Sequence, residues 1–117
     1  MGIIIDLFNA AIEFLRSVWD SVKKFWVRII NFVKNIVNWF KKPARLRKLK
    51  ADSNKIAVVI KDNLENGEVN VIKCLYDKST NTVDDDELQE EDVGIEAYGY
   101  DEETANAFGD KPMVILS

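Results

Sequence analysis

Between Ile3 and Lys42 neither Gly nor Pro interrupts the chain, and apolar residues recur at alternating steps of three and four. The series runs Ile5, Phe8, Ile12, Leu15, Trp19, Val22, Trp26, Ile29, Val33, Ile36, Phe40. On a helix this spacing stacks the side chains along one stripe, a heptad with Ile5 at a and Phe8 at d. The adjoining g column, Ile4, Ala11, Val18, Phe25, Phe32 and Trp39, is apolar throughout. The opposite face is wet, and Glu13–Arg16 and Asp20–Lys23 fall at helical contact spacing. The pattern predicts one amphipathic helix over residues 3–41, ended by Pro43, which disfavours helical geometry at Lys42. Within this run Asn31 or Ser21 is the weakest point, where a break into a helical hairpin would fall.

The second half changes period. Lys55–Lys61 and Glu68–Tyr76 read as strands, and Asn66-Gly67 between them is a turn dipeptide, so they predict a hairpin. Ile95–Tyr100 reads as a third strand. Asp101 is placed to cap a short helix through Phe108, with Gly109 as its stop. Pro112 then leads into a final strand, MVIL. The predicted fold class is α+β: a long N-terminal helix followed by a small, mostly antiparallel sheet with one short helix. Three regions result: 1–42, the amphipathic helix; 43–54, a basic linker; 55–117, an acidic β-rich domain.

Size makes the helix a problem in this reading. Thirty-nine helical residues extend roughly 58 Å, whereas a compact unit formed by the 67 residues 51–117 has a diameter of roughly 28 Å. Burying the whole apolar band would contribute on the order of 25–50 kcal/mol, an upper bound. The small domain covers about half of it, and the rest demands a partner. The expected interface residues are Ile5, Phe8, Ile12, Leu15, Trp19, Val22, Phe25, Trp26, Ile29, Phe32, Val33, Ile36, Trp39 and Phe40. The apolar g column disfavours a two-stranded zipper, which places charge there.

Charge sharpens the division. Residues 1–50 hold 11 Lys/Arg and 3 Asp/Glu, and residues 51–117 hold 5 and 17. The densest basic run is Lys41, Lys42, Arg45, Arg47, Lys48 and Lys50. It suits a solvated linker, anionic lipid headgroups or the chain's own acidic half. Nucleic acid is disfavoured as a partner, because the acidic domain would repel it and no aromatic residue interleaves the run. The acidic stretch 84–92 lacks the alternating acids, central Gly and closing Glu of a calcium loop, and reads as solvated.

Several chemistries are poorly served. The chain has no histidine, the commonest general base and zinc ligand. Its single cysteine, Cys74, sits in an apolar strand with no activating neighbour in sequence. No Gly-rich phosphate loop follows a strand. An enzyme is therefore not expected, and neither is a cofactor. The N-terminus lacks the basic start of a signal peptide, and no 18-residue stretch is free of charge, so neither an ordinary signal peptide nor a simple transmembrane helix is expected. A cytoplasmic protein, or one peripheral on a membrane, is the corresponding expectation.

Three functions follow from the helix. The leading one is a self-assembling structural protein whose helices pack against other copies as a homo-oligomer. The second is a membrane-active protein whose helix lies at an anionic surface, with its tryptophans at headgroup level. The third is an adaptor whose helix docks in a partner's groove.

Overall fold

A computed structural model describes residues 6–116 and the backbone of Ile3 and Ile4. The chain folds in the order β1 (Ile3–Ile4), α1 (Leu7–Val18), β2 (Lys24–Ile30), α2 (Asn38–Phe40), α3 (Pro43–Ala51), β3 (Lys55–Asn63), β4 (Val69–Asp77), β5 (Thr82–Val83), α4 (Asp85–Leu88), β6 (Gly94–Tyr100), α5 (Glu102–Phe108) and β7 (Met113–Leu116). A 3-10 turn, Trp19–Ser21, extends α1, and a wide π-type turn, Phe32–Val37, runs into α2. The α+β class with an N-terminal helix holds.

The main sheet has the order β2-β6-β4-β3-β7, and the short β5 and β1 continue beside the far end of β4. Every pairing is antiparallel except β2 with β6. The hairpin falls where its turn residues require. β3 and β4 pair from Lys55↔Asp77 to Asn63↔Val69, and Gly67 takes φ 90°, which a side chain would resist. Asp101 accepts the Thr104 amide at 3.0 Å and opens α5, and Gly109 follows its end at φ 60°.

The single helix over residues 3–41 is corrected. The run is divided into a helix, a strand and a second helical stretch, with breaks just after Ser21 and at Asn31. The molecule's longest extent is 37 Å, too short for a helix of roughly 58 Å. Residues 24–30 read KFWVRII, dense in aromatic and β-branched side chains that suit a pleated surface. A short apolar run satisfies both periodicities, and the available partner decides. Here the partner is β6, aligned from Lys24↔Gly94 to Ile30↔Tyr100. Gly94 is required: a Cβ there would lie 2.8 Å from Lys24 Cγ and 3.2 Å from the Trp19 ring. Asn31 then restarts the helical backbone, accepting the Lys34 amide at 2.8 Å while its own amide donates to Asn35 Oδ1 at 2.7 Å.

The buried side chains form one cluster drawn from both halves, including Leu7, Phe14, Leu15, Ile30, Ile36 and Phe40 with Val58, Ile60, Val71, Ile72 and Ile95. The apolar run of the first half thus enters the core of the second.

Candidate interaction surfaces

Opposite charge joins the two halves. Among the described residues, all five ion-pair contacts link residues 16–48 to residues 62–91. The tightest is Arg45 Nε to Glu87 Oε2 at 2.8 Å, with both side chains buried. Arg45 also donates to the Trp39 carbonyl at 2.9 Å, and its guanidinium lies 3.7 Å above the Trp39 ring centroid. The planar guanidinium suits this site, since it can stack and donate at once. Lys48 Nζ reaches Glu87 at 3.0 Å and Asp84 at 3.1 Å. Desolvation pulls the Lys48 pKa down, but the bonds to Glu87 and Asp84 outweigh it and hold the ammonium above its ordinary value. Desolvation likewise favours a neutral Asp84, and Lys48 overcomes it.

The basic run is therefore divided. Arg45 is buried and Lys48 half-buried, while Lys41, Lys42, Arg47 and Lys50 are exposed. Asp84, Asp85 and Asp86 bring carboxylate oxygens within 4.8 Å of one another. Asp84 is already engaged by Lys48 and by the Asp86 and Glu87 amides at the start of α4. That arrangement is a helix cap with an ion pair.

The heptad residues are scattered in the same way. Leu15, Val22, Ile36, Trp39 and Phe40 are buried; Ile12, Trp19, Phe25 and Phe32 are half-buried; Phe8, Trp26, Ile29 and Val33 are exposed. Ile5 lies outside the described residues. Among the described residues no helix presents the whole stripe. Trp26 and Ile29 share a feature that sequence reasoning did not bring out. They stand on β2, whose one strand partner among the described residues is β6, so no described strand pairs with its other edge. They are 54% and 53% exposed, and Trp26 meets exposed Tyr98 edge to face at 5.2 Å. Arg28, also exposed, makes no ion pair among the described residues.

Two buried groups have displaced titrations. Lys73 is 1% exposed; its Nζ donates to the Asn35 carbonyl at 3.0 Å and lies 5.2 Å from the Phe25 ring centroid and 5.3 Å from that of Trp39. Desolvation pushes its pKa down from 10.5 to about 7, with Asp92 opposing and Arg45 assisting. Burial pushes the Cys74 thiol up to about 12, leaving it a poor nucleophile at neutral pH.

An apolar cleft of about 740 Å³ lies where the helical stretch 32–50 and α5 meet β3 and β7, with Lys41, Lys50 and Lys55 among its lining. Among the described residues no helix is long and apolar enough to cross a membrane. No protein-family model, curated protein or solved structure matches the chain.

Proposed function

We propose that the chain is a non-enzymatic, self-associating structural protein whose copies pair through the open edge of β2. The observation carrying this reading is a seven-residue edge, KFWVRII, that no other strand pairs among the described residues and that bears the exposed Trp26, Arg28 and Ile29. An open edge presents a row of backbone donors and acceptors to any matching strand. The segment complements itself. In antiparallel pairing about Val27, Trp26 stands opposite Arg28 of the second copy, and Phe25 opposite Ile29. Cation–π and apolar cross-strand pairs of this kind stabilise a two-stranded contact. The contact is two-fold and closed, so it yields a discrete dimer. Higher assembly requires a second surface.

Mass by light scattering across a concentration series tests this. The wild type should move from monomer to dimer, and Trp26→Glu with Ile29→Lys should hold it monomeric while its circular dichroism stays unchanged. Both side chains are exposed, so the fold tolerates the change. An unaltered dimer in the double variant would overturn the edge. A wild type monomeric at every concentration would overturn self-association and favour the peripheral reading, in which exposed Phe8, Trp26 and Ile29 with Lys41, Lys42 and Arg47 meet an anionic bilayer.

A further inference from the structure

We propose that the cleft beside β7 is a binding site for a long-chain carboxylate, a fatty-acid anion. Eleven of its lining side chains are apolar, including Phe32, Phe40, Leu49, Ile56 and Leu116, and the other three are Lys41, Lys50 and Lys55. Among the described residues no acidic side chain lines it, although the chain carries 20 Asp and Glu. Such a partition, a greasy hollow whose described charged groups are cations, matches an amphiphile with an apolar tail and a negative head. The volume of about 740 Å³ falls in the range of small-molecule sites.

The lysines are available. Lys41 and Lys50 are exposed and take part in no ion pair among the described residues. Lys55 is half-buried and acts through space on Asp77 and Asp84, lowering both carboxyls. Lys41 and Lys50 are therefore the headgroup partners, and the apolar walls take the tail. Each methylene removed from water adds to affinity, which favours a long chain over a short one. Concavity distinguishes this site from the β2 edge, which is an open strand on the opposite margin of the sheet. The two surfaces do not overlap, so the site stands whether or not copies pair through β2.

Calorimetric titration of the delipidated full-length protein with oleate, kept below its micellar concentration, tests the proposal. One-to-one saturable binding is expected, with methyl chemical-shift changes concentrated at Leu46, Leu49 and Leu116. The paired variant Lys41→Glu and Lys50→Glu should weaken oleate by about tenfold or more, as loss of two headgroup attractions implies. It should weaken methyl oleate far less. Ala107→Phe, which narrows the cleft from α5, should weaken both ligands. Absence of oleate binding would overturn the proposal, as would binding unaffected by the charge reversal. Protection of the cleft by a second copy, seen as a mass increase lost in Ala107→Phe but kept in Trp26→Glu, would also overturn it.

Discussion

The β3–β4 hairpin and strand β2 lie in one sheet and arrive there by opposite routes. The hairpin closes on itself through a short turn, with Leu64 donating to the Glu68 carbonyl at 2.8 Å and Gly67 to that of Leu64 at 3.1 Å. Each of its strands finds its partner a few residues away. Lys24 of β2 instead pairs with Gly94, across two helices, the hairpin and the acidic loop. The hairpin needs only local chain closure, whereas β2 waits for its acceptor to exist. The N-terminal half is consequently held by what it meets: ion pairs to the acidic half, the Asp101 carboxylate that accepts the Phe32 amide, and the buried Lys73 that donates to the Asn35 carbonyl. Breaking these should loosen residues 7–51 and spare the hairpin.

The largest effect should come from Glu87→Ala, which strands the buried Arg45 guanidinium. A loss of about 3–5 kcal/mol is expected in chemical denaturation. A loss under about 1 kcal/mol would mean that Arg45 finds water and that the two halves are held by packing alone.

Lys73 ranks next and sharpens the comparison through pH. Between about 7 and 10.5 the unfolded chain holds a proton on Lys73 that the folded protein has released, so stability rises with pH across that window. Cys74 acts in the other direction: between 9.0 and about 12 the folded protein keeps a proton that the unfolded chain loses, so stability falls. Thermal midpoints should therefore climb from about pH 7, level off above pH 9 where the two contributions oppose one another, and fall above about pH 10.5. Lys73→Met, similar in length and uncharged, should raise the midpoint at pH 6 and flatten the climb. A climb unchanged in the variant would assign it to another group.

Asp101→Ala should cost about 0.5–2 kcal/mol, the range for a helix cap. Its Oδ2 also accepts the Phe32 amide at 3.1 Å, so the loss should appear in hydrogen exchange at residue 32 as well as in α5. Exchange confined to α5 would separate the two roles. Lys23→Ala should have the smallest effect in chemical denaturation. Lys23 reaches Glu91 at 3.1 Å with both side chains exposed, and its contribution should fade with added salt.

Legibility followed the same division. Strands at Lys55–Lys61, Glu68–Tyr76 and Ile95–Tyr100, the helix from Asp101 and the MVIL strand all appear within a few residues of their predicted places, because turn and cap residues mark them locally. The heptad misled because Phe25, Trp26 and Ile29 fit a helical stripe, while the same run with Val27 and Ile30 also suits a strand. The aromatic and β-branched density of that segment was the available signal. Ser21 and Asn31, the weak points of the run, did become its boundaries. Of the candidate residues, those on the stripe are divided between core and surface, and the basic run supplies one buried ion pair, one half-buried lysine and two lysines of the cleft.

By itself the chain determined the α+β class, the hairpin, the caps and the separation of charge, since each depends on residues near one another in sequence. Tertiary structure alone decided that residues 24–30 are a strand, that Arg45 is buried against Glu87, that Lys73 lies among aromatic rings and that an apolar cleft remains beside β7. Each of these depends on a partner tens of residues away, and the side-chain pattern specifies the appetite for such a partner without saying where it will be found.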